Sequence, residues 1–234
     1  MPKMKIFIED CYKKRYNKIK KKHTHMEVFT MAKRIYPIIT ISREFGAGGH
    51  SVGKVLSEHL GIPYYDKDFV KETAARSGYS EEDIEREGET LSRSAKILDN
   101  FLGNSMNYSS SHDAIFRAQK ELVLHLAQQD CILIGRCSNL ILREAGIPSL
   151  NVFLHADVDT RTAHIEKLGL NGKEDPRKYL NKIDDMRETY FKTYTKHDLG
   201  SYHDYDLCLD TGTLGYDACI DIIEKLARQK AQKD

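Results

Sequence analysis

The sequence predicts an α/β fold in three layers, a five-stranded parallel sheet with helices on both faces. Three observations carry this. Five short apolar runs alternate with amphipathic helical stretches between residues 37 and 227, the order that gives parallel strands with right-handed crossovers. The third run, Cys131 to Gly135, is apolar throughout, as a strand buried on both faces requires. The first run passes through a glycine-rich loop directly into a helix, the arrangement from which phosphate sites are made. With 234 residues, 40% of them hydrophobic and 30% charged, the chain is long enough for one domain with a sizeable core.

Strand one is Pro37 to Ser42, followed by the loop Arg43-Glu44-Phe45-Gly46-Ala47-Gly48-Gly49-His50-Ser51. Val52, Val55, Leu56, His59 and Leu60 then recur on one helical face until Gly61 stops the helix. Strand two is the short Ile62 to Tyr65, ending at Asp66. Residues 67–128 read as a helical insert with a polar break at 103–111; Ile115, Leu122, Val123 and Leu126 share a face that leads into strand three. Strand four is Leu150 to Leu154 and strand five Tyr205 to Leu209. Between them lie a helix from Asp157 to Leu168, a glycine- and charge-rich stretch to Lys178, and a helix from Tyr179 to Tyr194, so residues 168–204 form a candidate lid. A last helix carries Cys219, Ile222, Ile223 and Leu226 on one face.

Charge is unevenly placed. Residues 1–34 carry eleven basic and three acidic side chains, +8 against a whole-chain +1, which leaves −7 on residues 35–234. The first 34 residues therefore read as a basic extension and 35–234 as the folded domain. A solvated tail accounts for such an arm, and contact with nucleic acid is the alternative. No apolar run reaches the roughly 18 residues of a membrane span, and no secretion signal is legible, so a cytoplasmic protein without a membrane partner is expected. The five cysteines form no CxxC pair and the ten histidines no HExxH, which leaves buried reduced thiols and no zinc chemistry.

The loop carries the chemistry. Backbone N–H groups gathered in a glycine-rich turn, together with the positive end of the next helix, hold anionic oxygens without a side chain at every position. The pattern G-x-x-x-x-G-K-[ST] fits here in two registers. One uses Gly48 and Gly53-Lys54 but puts Val55 at the hydroxyl position and consumes a helical turn. The other, which keeps strand and helix intact, uses Gly46, Ala47 and Gly48, with Gly49 where lysine belongs, then His50 and Ser51, and Arg43 in place of the first glycine. Phosphoryl transfer depends on cations that offset the moving charge, so Arg43, a protonated His50, Mg²⁺ on Ser51 or lid arginines must replace that lysine.

The stretch Ile39 to Asp66, with ITISREFGAGG, a helix and LGIPYYD, resembles the cytidylate kinase-like family. Gly135-Arg136 and Tyr205 to Gly215 (YDLCLDTGTLG) extend the likeness to about Ile38–Ala227. The resemblance implies a P-loop NTPase fold with an acceptor-binding helical insert and a lid. It also implies ATP-dependent phosphoryl transfer, assisted by Mg²⁺, to a nucleoside monophosphate or a related small phosphorylated acceptor. Gly46 to Ser51 and Thr211 would then bind ATP, with Ser51 on the metal. Arg43, Arg161 and Arg187 would act on the phosphates, and Asp66, Arg117 and Arg136 would orient the acceptor. Asp66 serves equally as a helix N-cap, Arg117 as a solvated helix residue, and Arg136 as half of a structural ion pair. Cys137 stands where cytidylate kinases have a base-reading aspartate. A nucleotide sensor whose basic arm touches nucleic acid or a partner is the rival reading.

Overall fold

The computed structural model describes residues 38–66, 68–96 and 111–231. The basic extension, Lys67 and most of the polar break at 103–111 lie outside them. Strands β1 (Ile38–Arg43), β2 (Tyr64–Tyr65), β3 (Ile132–Ile134), β4 (Ser149–His155) and β5 (Leu207–Asp210) form one sheet in the order β2-β3-β1-β4-β5. Every pairing is parallel. Ile41 lies opposite both Ile134 and Val152, so β1 is flanked by β3 and β4 and the carboxyl ends of the three strands meet at one edge.

Helix α1 (Gly49–Leu60) forms where the apolar spacing places it, burying Val52, Leu56 and Leu60 and stopping at left-handed Gly61. The expected helical insert contains α2 (Asp68–Ser77), α3 (Glu81–Glu87) and α4 (Ser111–Leu126). Ser80 caps α3 by accepting from the Asp83 amide. After β3 comes a helix the sequence reading lacked, α5 (Ser138–Glu144). It is a single run of two turns, too short for its periodicity to stand out. Then follow α6 (Val158–Lys167), capped by Asp157, and α7 (Pro176–Thr195), capped by Asp175 with proline in its first turn. The chain continues through the short α8 (Thr211–Leu214) to α9 (Tyr216–Ala231).

The two sheet faces divide the core. Ile39, Ile41, Ile132, Ile134 and Val152 pack with α1 and α9, whereas Ile38, Leu133, Phe191 and Leu122 pack with α4, α5 and α7. Strand five starts at Leu207, two residues later than its apolar run suggests. Asp206 is engaged instead with Asn151, its amide donating to the Asn151 carbonyl and its carboxylate accepting from the Asn151 amide. Among the described residues no helix is long and apolar enough to cross a membrane.

Candidate active site

The loop between β1 and α1 is held from behind. The Phe45 carbonyl accepts from Arg161 Nη1 (3.1 Å), the Gly46 carbonyl lies 2.7 Å from His164 Nδ1, and the Ala47 carbonyl accepts from Thr211 Oγ1 (3.1 Å). The Phe45 amide donates to Asp184 (2.8 Å), and Tyr216 supports His164 through its hydroxyl at 3.1 Å. Three successive carbonyls are thereby occupied by side chains from α6 and α8. The amides of Gly46, Gly48, Gly49, His50 and Ser51 make no hydrogen bond among the described residues. Such a set of unpaired amides at the positive end of a twelve-residue helix can accept an anion. Gly48 makes the turn possible: its φ is +83°, and a Cβ there would lie 2.4 Å from the Tyr216 ring.

The absent lysine has a physical counterpart. A Cβ built on Gly49 would meet Arg43 Cγ at 3.0 Å and Cδ at 3.1 Å, so the Arg43 side chain fills the space into which a side chain at position 49 would extend. Arg43 runs on to form a two-point pair with Glu89, one arm of which is Nη2 to Oε2 at 3.0 Å. Arg187 Nη2 lies 3.5 Å from the same carboxylate, and the Arg136 amide donates to it at 3.3 Å. Glu89 is thus shared by three arginines, and two of their polar atoms, Arg136 Nη1 and Arg187 Nε, are buried without a hydrogen-bond partner. Burial opposes ionisation of Glu89, yet the charges of Arg43, Arg187 and Arg136 outweigh it and hold the carboxyl well below its usual range. Burial, and next the Arg43 charge, pull Arg187 below the usual arginine range. The cluster therefore carries cationic charge that one carboxylate does not offset.

Backbone geometry presses the cluster together. Residues 135, 136 and 137 all have positive φ, +69°, +56° and +56°, where the chain turns sharply from β3 to α5. A Cβ on Gly135 would fall 1.9 Å from Glu89 Oε1 and 2.2 Å from Arg43 Nη1, so only glycine lets the strand end touch the ion pair. Cys137 is buried, and burial followed by the Glu89 charge drives its thiol far above the ordinary range.

Two cavities join at this cluster. One is lined by the loop, Asp66, His164, Leu168 and Leu170; the other by Ser42, Gly135, Arg136, Cys137, Tyr190 and Phe191. Arg43, Glu89 and Arg187 line both. Asp66 faces the first cavity and lies 2.8 Å from His50 Nδ1.

The structure brings Gly46 to Ser51, Arg43, Asp66, Arg136 and Arg187 together, and it places three expected residues elsewhere. Arg161, expected on the phosphates, is 4% exposed and pairs with Asp184, Glu44 and the Ala156 carbonyl; it fixes the loop from beneath. Thr211 is likewise beneath the loop, its hydroxyl between the Ala47 and His155 carbonyls. Arg117 is exposed on α4 and lines neither cavity. Sequence reasoning missed Glu89, Asp184, His164 and Tyr216, whose roles arise from contacts between distant segments. It also missed Leu168 and Leu170, apolar residues 55% and 47% exposed beside the loop.

A parallel sheet in this strand order, with an amide-lined loop leading from its central strand into a helix, defines a P-loop phosphotransferase fold. The chain belongs to the cytidylate kinase-like family, which its sequence matches over residues 38–213. Among solved structures it resembles an uncharacterised protein from Eubacterium ventriosum, at 27% identity and TM-score 0.57, over 82% of this chain and 98% of that one. A shikimate kinase from Acinetobacter baumannii, in complex with shikimate, aligns at 15% identity and TM-score 0.48, over 82% and 92% of the two chains. A gluconokinase from Sinorhizobium meliloti aligns at 16% and 0.45, over 86% and 99%. A search of curated protein sequences gave no match.

Proposed function

We propose that the protein is a kinase that moves the γ-phosphoryl group of ATP, with Mg²⁺, onto a small anionic acceptor of the nucleoside monophosphate or phosphorylated-metabolite kind. The observation that carries this is the Arg43 side chain running through the space beside Gly49, which supplies a fixed cation where the phosphate loop lacks its lysine. Family membership supports the reaction class, and the unpaired amides from Gly46 to Ser51 support the ATP phosphates as their ligand.

The donor set suits the metal. Among the described residues no three acidic, histidine or cysteine side chains cluster as a metal site, and Mg²⁺ needs none where phosphate oxygens and water complete its octahedron. Ser51, in the first turn of α1 and on the cleft wall, would contribute its hydroxyl. The bound metal would neutralise charge on the phosphate tail. Leu168 and Leu170 offer apolar surface for the nucleotide base. Arg43 and Arg187 would face the transferred group, and Arg136 and Asp66 the acceptor. Arg161 and Thr211 act as positioning residues for the loop.

Two measurements test the reading. ATP with Mg²⁺ is expected to raise Tm, and Ser51→Ala to lose the Mg²⁺-dependent part of that rise. Unchanged Mg²⁺ dependence in the variant would assign the metal to another group. Coupled ADP release is expected to exceed background hydrolysis with an acceptor present and to fall about 100-fold or more in Arg43→Ala. Stabilisation by ATP without turnover would make the protein a nucleotide sensor.

A further inference from the structure

The arginine cluster holds more buried donors than the described residues have acceptors for. Arg136 is 8% exposed and Gln119 fully buried, yet Arg136 Nη1, Gln119 Nε2 and Arg187 Nε have no hydrogen-bond partner. Tyr190 donates its hydroxyl to Gln119 Oε1 at 2.9 Å, which occupies the amide oxygen and leaves the NH₂ group as the free end. Arg136 Nη1 and Gln119 Nε2 each lie 2.5 Å from the point where a Cβ on Gly88 would stand, so the two donors sit side by side. A buried donor without a partner is costly, and more so when it is charged.

Charge is out of balance in the same place. Three guanidinium groups meet one carboxylate, and both oxygens of Glu89 are already engaged. Its Oε1 is taken by Arg43 and the Arg136 amide, its Oε2 by Arg43 and, at 3.5 Å, by Arg187. Among the described residues no other anion lines the space. Burial keeps Cys137 and Tyr190 neutral, driving both far above their ordinary ranges. Asp66 and Asp184, whose charges reach Arg43 and Arg187, are engaged with His50 and with Arg161.

The space between Arg136 and Arg187 measures about 20 Å³, room for one particle the size of a water molecule. Tyr190, Phe191 and Leu199 complete its wall. Water would satisfy donors there without touching the charge. A monatomic anion only slightly larger than water accepts from every donor, brings none of its own, and offsets a buried cation. We infer that the free protein binds one halide ion, chloride in ordinary solutions, in this cavity between Arg136 and Arg187. The ion belongs to the protein without substrate, so its presence is independent of the kinase reading.

The test measures Tm of the full chain, without nucleotide, as sodium chloride or sodium bromide replaces sodium gluconate at a constant total salt of about 0.1 M. Each halide is expected to raise Tm by about 2 °C or more, because an ion that binds only the folded protein stabilises it, whereas gluconate is too large for the cavity. Equal Tm in all three salts leaves the cavity to water and overturns the inference. Arg136→Met removes the guanidinium donors and is expected to lose the halide response. A response retained in that variant places the ion elsewhere, the loop amides included, and overturns the inference as well. Wild-type crystals soaked in bromide give a reading that does not depend on the variant folding. An anomalous scattering peak between Arg136 and Arg187 is expected, and its absence there overturns the site.

Discussion

Glu89 concentrates the electrostatics of the site in one side chain. Its carboxyl, held below the usual range by Arg43, Arg187 and Arg136 against the opposing effect of burial, gives stability that is fully present above the ordinary carboxylate pKa. That stability is lost as pH falls below the ordinary value toward the depressed one. Glu89→Gln is expected to cost about 3 kcal/mol at pH 7, because it leaves buried arginines unpaired. The difference from wild type should shrink between pH 5 and pH 3, which urea unfolding at several pH values measures; a constant difference would show that the pair contributes nothing pH-dependent. Gly48→Ala tests the loop backbone. A methyl group at φ +83° and 2.4 Å from the Tyr216 ring is expected to cost about 2 kcal/mol and to abolish the ATP-induced rise in Tm. At this scale the sequence was readable where chemistry is local. Gly46 to Ser51, Arg43 and Asp66 stand within or beside one strand–loop–helix unit, and Arg136 closes an apolar run. Glu89 was invisible because it ends the acidic stretch EEDIEREGE, which reads as a solvated helix face, and nothing local says that three arginines surround it.

Helices α6 and α7 hold the loop from behind. Arg161 from α6 and Asp184 from α7 pair with each other and grip opposite faces of Phe45, its carbonyl and its amide. Removing the guanidinium leaves Asp184 Oδ2 and the Phe45 carbonyl without that donor and the half-buried Asp184 carboxylate without its counter-charge, with only the Phe45 amide still donating to it. Arg161→Ala is accordingly expected to lose about 3–5 kcal/mol and to raise the KM for ATP, with kcat reduced less than in Arg43→Ala. Equal losses of kcat in the two variants would place Arg161 on the phosphates after all. The periodicity of apolar residues marked α1, α4, α6, α7 and α9 because each hides a single face over ten residues or more. It passed over α5 and α8, since helices of seven and four residues complete too few turns to show a period. The same limit explains Arg161: its spacing announces a helix, but whether a helical arginine faces a cleft or the back of a loop is decided by the partner helix.

For the whole molecule, the family match begins at residue 38, and the described residues that line the two cavities all fall within it. Deleting residues 1–30 is expected to leave ATP stabilisation and turnover within twofold of the full chain. A large loss would make the basic arm part of the catalytic unit, and loss of nucleic-acid retention on deletion would give it a separate role. The strand order itself was open to the sequence only as an alternation of runs. The placement of β1 between β3 and β4 comes from pairing over more than ninety residues, which no local pattern encodes. That placement delivers Arg43, Arg136 and the loop to one edge of the sheet.

The left-handed turn at Arg136 and Cys137 sets durability against use. Two successive non-glycine residues at φ +56° each store roughly 1 kcal/mol or more that glycine would release. A search for hardier variants would therefore favour glycine at both positions. At Cys137, 3% exposed within the core, the relieved strain is set against the cavity that loss of the thiol leaves, and Arg136→Gly would relieve the turn while emptying the pocket of a guanidinium whose charge helps keep Glu89 ionised.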